Sequence, residues 1–557
     1  MKFSKCFILA GAAALLAACS SEEPIVGPGA DQPDLSDVET YAQFTISMVG
    51  DNGTRAAGFK NGDPEEYAVK SGKMLVFGLP KDGDHSTVAG RVQAKYIIAT
   101  DLEFTPDATG EDDQYDATAL NVKTKFKKGT FSTSSYEKFY GVVILNPTND
   151  WLPAGGQTFK DWAENKTLGG DLYDEDGYMV MTNAALYNCA GNTSVLSEIN
   201  TNNVKDTEIE VVADAATFTV QRIAAKVSLA NFGAKGTKVF TIKEGTYNGG
   251  SATINGWDMD LTRKTAYPVQ NVWGDNVTEF FETGASAWFH SGIPERCHWA
   301  DSKFYNTTMT VADCKANFTF IGATPVLNTV DEHKYIRPNT LAFNKMSKGQ
   351  TTRMIIGAKF AAKGVAANTT LYKFKNIETL YTAATLKAAV ENICKNDLTD
   401  KITSPVVTIN EGSKGGWRML DGVVTVTGIT DKQKEELGAA LGIYDQTKPE
   451  IAVFFKGQCY YPVYIRHFAD EQEAANIKVT PGVSLGIYEK KHTGRYGIQR
   501  NTWYEVTVTS IKGPGLPSVP DPDPTKPVDE IEEDSYRYMQ VDCNILNWAK
   551  RSQNVEL

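Results

Sequence analysis

The end of the chain carries a strand with nothing beside it. From Tyr538 to Ile545 apolar and polar residues alternate, with Met539, Val541, Cys543 and Ile545 on one side and Tyr538, Gln540, Asp542 and Asn544 on the other. A period of two is the pattern of a half-buried β-strand. Its backbone groups need a partner and its apolar side needs a core, so a sheet elsewhere has to receive it. The residues before it offer none: prolines stand at 514, 517, 520, 522, 524 and 527, and Asp529, Glu530, Glu532, Glu533 and Asp534 follow. Such a stretch lacks donors and cannot collapse, and is expected to act as a stiff extended spacer reaching about 40 Å at about 3.1 Å per residue.

The other end has a matching strand. Ala42, Phe44, Ile46 and Met48 alternate with Tyr41, Gln43, Thr45 and Ser47, and a small polar run from Gly50 to Gly58 follows, containing Arg55. Glycine-rich loop tips of this kind are where chains are nicked. Upstream lies an export signal. Lys2 and Lys5 precede the apolar stretch Phe7 to Ala18, too short to cross a bilayer, which ends in Leu16-Ala17-Ala18-Cys19. That tetrapeptide is similar to a lipobox, and a lipid on Cys19 would hold a precursor on a membrane. Ser20 to Glu39 is then a polar, Pro- and Gly-containing tether.

Between these ends the chain is strand-rich. Lys73 to Phe77, Tyr140 to Leu145, Tyr178 to Thr182, Ile209 to Val212, Phe218 to Ala225, Lys238 to Ile242, Met354 to Phe360 and Trp503 to Ile511 are short β-branched or aromatic runs. Two helices interrupt them. Ala383 to Asn396 places Leu386, Val390 and Ile393 on one face, and Thr430 caps Asp431 to Leu441 with Gln433 closing a capping box. Both are expected as insertions that cover a sheet. At 557 residues the chain exceeds one core, so two domains are expected.

Composition removes several functions. A net charge of -12 leaves no cationic face for nucleic acid. No glycine-rich turn opens a helix after a strand, and neither a nucleophile elbow nor a phosphate loop is present, so no catalytic residue and no cofactor are assigned. His290, Cys297, His298 and Asp301 lack metal-ligand spacing, and Asp174-Glu175-Asp176-Gly177 lacks the later ligands of a calcium loop. The cysteines beyond the leader, at 189, 297, 314, 394, 459 and 543, fit either disulfides or buried thiols.

The leader with Cys19, the first strand with Arg55, Val220-Gln221-Arg222-Ile223-Ala224-Ala225-Lys226-Val227, Tyr496-Gly497-Ile498-Gln499-Arg500-Asn501 and the Pro-Asp-Pro segment together resemble the Mfa and FimA fimbrilins of Bacteroidetes, the type V pili. The likeness is strongest at the two ends and in the Mfa branch. It implies a mainly β chain of two transthyretin-like β-sandwich domains with a few inserted helices and a C-terminal donor strand. The implied order is a lipoprotein signal at 1–19, a propeptide with a removable strand at 20–55, sandwich domains at 56–216 and 217–512, a linker at 513–534 and the donor strand at 535–557.

By the same resemblance, an arginine-specific surface protease cuts between Arg55 and Ala56. Ala42, Phe44, Ile46 and Met48 form the displaced strand, and Met539, Val541, Cys543 and Ile545 of a neighbouring copy replace it. Four such side chains contribute roughly 6–12 kcal/mol before ordering costs. A fold-back of the last strand on its own domain is the alternative to insertion into a neighbour. The implied role is a non-enzymatic shaft subunit of a surface fimbrium that supports adhesion. Its implied partners are copies of itself, anchor and tip subunits and surface receptors, with membrane contact only through the precursor's lipid. A monomeric lipid-anchored adhesin or glycan binder, or an accessory fimbrial subunit, is the competing reading.

Overall fold

The computed structural model describes residues 39–48, 59–60, 63–104, 115–116, 120–147, 151–167, 172–173, 177–185, 195–206, 216–230, 238–271, 273, 301–302, 304–327, 333–467, 488, 493–528 and 539–548. Among these the protein is mainly β with a few helices, as expected.

The N-terminal part is built on one large sheet. Its strands are β1 (Glu39–Met48), β3 (Gly72–Pro80), β4 (Lys95–Asp101), β5 (Leu120–Lys127), β6 (Tyr136–Leu145), β7 (Met181–Asn183) and β8 (Ala216–Arg222); β2 (Phe59–Lys60) belongs to a different sheet. The hydrogen-bonded order is β4-β3-β6-β7-β8-β1-β5. Alternate residues of β3 and β6 feed two cores. Met74, Val76, Phe139, Val143 and Leu145 join Ala42, Phe44 and Ile46, whereas Leu75, Phe77, Tyr140, Val142 and Ile144 meet Trp151, Phe159 and Trp162 on the opposite side. Burial on both faces is why these strands read as continuous apolar runs.

Two sequence expectations shift here. Only Met181–Asn183 of the run expected from Tyr178 is strand. The run from Phe218 to Ala225 is two strands: β8 ends at Arg222, and β9 (Ala225–Leu229) begins in the next sheet after Ile223 and Ala224. The crossover between sheets thus falls after Arg222. Both flanking segments bury apolar residues, so nothing in hydropathy marks the switch.

The C-terminal part faces two sheets across a common core. One has the order β12-β9-β18-β19-β2, where β12 is Lys334–Ile336, β18 is Thr502–Ile511 and β19 is Met539–Trp548. The other runs β10-β11-β13-β17, from Val239–Thr241, Ser251–Asp260, Arg353–Ala361 and Gln458–Tyr464. Val227, Trp257, Ile356, Phe360, Tyr461, Tyr504, Val506 and Met539 meet between them.

The chain between β13 and β17 forms an insertion, since these two strands pair directly from Arg353 opposite Tyr464 to Lys359 opposite Gln458. It holds β14 (Leu371–Phe374), β15 (Gly416–Arg418), β16 (Ile451–Phe454) and both expected helices, α1 (Ala383–Asn396) and α2 (Asp431–Ala440). The Thr430–Gln433 capping box is present. Leu386, Val390 and Ile393 pack with Tyr372, Phe374, Leu437 and Val453, so the helices close a core of the insertion's own instead of covering a domain sheet.

The proline-rich stretch is no free spacer. Residues 513–528 lie strapped along β17 and the turn before β13. Leu516 exchanges backbone hydrogen bonds with Tyr460, and the Tyr461 hydroxyl donates to the Gly513 carbonyl at 2.7 Å. Arg353, itself paired with Asp260, donates to the Pro520 carbonyl at 2.6 Å. Val519 donates to Ala323 and Val528 to Met346, and both valine side chains are buried. Gly349 and Gly515 make room for this approach, since a Cβ would meet the Pro524 nitrogen or the Tyr460 carbonyl at 2.4 Å.

Among the described residues Cys314, Cys394 and Cys459 are buried free thiols. Burial, aided for Cys314 by Asp313, pushes the Cys314 and Cys459 thiols up to about 11. The thiolate is the nucleophile. At pH 8 an alkylating reagent should therefore spare both in the folded chain and modify both in denaturant, read by peptide mass.

Candidate functional site

β1 occupies an interior place in its sheet. It runs antiparallel to β5 from Glu39 opposite Lys127 to Ile46 opposite Leu120. On its other edge it runs parallel to β8 from Phe44 opposite Ala216 to Met48 opposite Val220, and Tyr41 and Ala42 pair with Lys205 and Val204. Ala42, Phe44 and Ile46 are fully buried. The Phe44 ring stands edge-on to Phe218 at 5.2 Å and 87°. Lifting β1 out would uncover two strand edges and the apolar floor between them.

β19 has a different setting. It lies antiparallel on β18 of the same chain, from Thr502 opposite Asn547 to Ile511 opposite Met539. Val541, Cys543 and Ile545 stand opposite Val508, Val506 and Tyr504, and Met539 is buried in the core. Within a single copy the last strand is thus folded back on its own domain. Among the described residues its other edge meets β2 alone, where Phe59 pairs with Asn547 and Lys60 with Trp548. Cys19, Arg55 and Ala56 lie outside the described residues.

The two motifs at 220–227 and 496–501 converge on the junction between the parts. Arg222, fully buried, donates to the Glu66 carbonyl at 2.6 Å and to the Asn501 side-chain oxygen at 3.0 Å. Asn501 has a φ of 55° and donates its backbone N–H to Ala224. Arg500 grips Asp301 through Nε at 2.8 Å and Nη2 at 2.5 Å, and both side chains are buried. The Asp301 carboxylate is thus an internal counter-ion, and the other members of the His290 set, His290, Cys297 and His298, lie outside the described residues.

Lys226 forms the second half of this junction. Its ammonium reaches Glu66 at 2.5 Å and Asp63 at 3.1 Å, and lies 4.1 Å from the Trp503 ring centroid. Tyr335 donates to the same Glu66 carboxylate at 2.5 Å. Burial first, then that carboxylate, hold the Tyr335 phenol above its ordinary range, so it stays a donor. Asp63, Glu66 and His333 come together as metal ligands could, but Lys226 already supplies the positive charge there. Glu66 carried no signal in the sequence. Arg222, Lys226, Arg500 and Asn501 did, as motif residues without a visible role.

Residues 452–554 match the family described as major fimbrial subunit protein type IV, Fimbrillin, C-terminal. The span holds β17, the strap, β18 and β19. No curated protein matches the chain. Among solved structures, a fimbrilin (fimA) from Porphyromonas gingivalis aligns at 13% identity over 93% of this chain and 100% of that one, with a TM-score of 0.37. The tip fimbrial protein Mfa3 from the same organism, with C-terminal truncation, aligns at 12% identity over 92% and 100%, with a TM-score of 0.30. Scores this low do not establish a shared packing of the domains.

Proposed function

We propose that this chain, a fimbrillin by its residues 452–554, is the shaft subunit of a surface fimbrium that polymerises when the C-terminal strand of one copy replaces β1 of the next. The observation that carries the reading is the interior place of β1 between β5 and β8, directly upstream of Arg55 in sequence.

The two settings give exchange a driving force. At home β19 has one long ladder, on β18, and among the described residues its outer edge is paired at its last two residues alone. In the place of β1 a strand has ladders on both edges and a buried apolar floor. Backbone groups paired on one edge only are the usual route to association between copies. A strand that moves from edge to interior gains hydrogen bonds and buried area together.

While β1 stays attached, its slot is filled and its edges are paired. Cleavage between Arg55 and Ala56 by an arginine-specific surface protease turns it into a separate peptide that an incoming strand displaces. Before the cut, lipid on Cys19 holds the precursor on the outer membrane, which confines assembly to the cell surface. The fibre's other partners are accessory anchor and tip subunits and the receptors it adheres to. The subunit's role is structural, with no catalytic step.

The test uses material sheared from cells. Its N-terminal sequence should begin at Ala56, and filaments assembled from isotopically light and heavy copies should give crosslinks between 539–548 of one copy and β5 or β8 of another. A filament whose crosslinks from 539–548 stay within one copy overturns the reading.

A further inference from the structure

The residues just downstream of Arg55 touch both the domain junction and the last strand. β2 pairs with Asn547 and Trp548 at the far end of β19. Asn547 is therefore held on both edges, by Phe59 on one side and Thr502 on the other. Release of β19 at this end has to break both pairings. Its opposite end leads back in sequence to Val528, which is buried and hydrogen-bonded to Met346. Strands open locally from their ends, so a pairing at an end slows release.

A cluster buried at Glu66, Lys226 and Arg222, with Asp63 exposed at its rim, keeps β2 in range. Asp63 and Glu66, close downstream of Lys60, are fixed by Lys226 at 3.1 and 2.5 Å, by Tyr335 at 2.5 Å and by Arg222 on the Glu66 carbonyl at 2.6 Å. Three residues span at most about 11 Å, so β2 cannot drift far while this cluster is closed. All these residues follow the expected cut and remain with the molecule after it.

We propose that β2, anchored through Asp63 and Glu66 by the Lys226 cluster, is a guard on the C-terminal strand that pins the Asn547 end of β19 and slows its release from its own domain. The inference rests on the strand-exchange reading and adds a control on the donor that is separate from the plug in the acceptor. Cleavage opens the slot; lifting of β2 frees the strand that fills another copy's slot.

Hydrogen exchange of the intact, uncut chain tests this without any polymerisation. Phe59→Pro/Lys60→Pro removes both β2 backbone donors, and amides at 539–548 should then exchange about tenfold faster, the scale of one or two backbone hydrogen bonds. Amides of β1 should be unchanged, which shows that the N-terminal part is still folded. Lys226→Met leaves the sequence of β2 intact and should accelerate the same amides, and it decides the matter should the double proline variant fail to fold. Unchanged exchange at 539–548 in the folded variants overturns the guard and leaves strand exchange standing. Filaments that retain their own β19 overturn strand exchange and leave the guard standing.

Discussion

A chain that stops at residue 534, once cut after Arg55, should form no ladders of oligomers, and its C-terminal part should melt earlier than that of the full chain. The first effect is all or none, because the shortened copy has a slot and nothing to offer its neighbour. The second follows from the fold-back, since removing β19 strips the ladder from β18 and takes the buried Met539 out of the core. Loss of assembly could then be blamed on damage, so a mixture decides the point. A small amount of the shortened, cut copy added to full-length cut protein should shorten the ladders, because it accepts a strand and ends the chain. Ladders from the shortened copy alone, or no effect in the mixture, would rule out β19 as the donor.

Phe44→Ala should act in opposite directions before and after the cut. The ring is fully buried and edge-on to Phe218, so its loss costs about 3–5 kcal/mol in the intact chain, measured by denaturant unfolding of the N-terminal part. The same change weakens the grip of the slot on β1 once β1 is a separate peptide. Ladders should therefore appear faster after limited trypsin digestion, although the precursor is less stable. Equal or slower ladder formation by the folded, cut variant would show that leaving of β1 does not limit assembly.

The strands at the two ends were legible because a period of two survives in both sequences, and β1 buries one side only. Their neighbours were not. β1 takes its partners from residues 120–127 and 216–220, and alternation says which side of a strand is buried but not what lies along its edges. The helices of the insertion were placed closely by apolar spacing and by the Thr430 cap, whereas the separate core they close depends on Tyr372 and Val453, which flank them far apart in the chain. The change of sheet after Arg222 leaves no trace in hydropathy because the residues on both sides are buried. The Lys226 cluster was hidden for a simpler reason: Glu66 looks like any acidic residue until a buried ammonium stands 2.5 Å away.

The proline-rich stretch shows why composition misled. Proline lacks a donor, and that suggested a segment with no stake in the fold. Its carbonyl remains an acceptor, and Arg353 uses the one on Pro520. Val519 and Val528, scattered among the prolines, are enough to seat the chain.

That seating decides how a pulled fibre transmits force. In the proposed fibre, traction on a tail lodged in a neighbour would enter its own molecule at Val528 and meet the attachments at Lys526, Pro520, Leu516 and Gly513 before it reached β18. A subunit built this way carries its tow-rope stitched down along its flank, so that the stitches take up load ahead of β18.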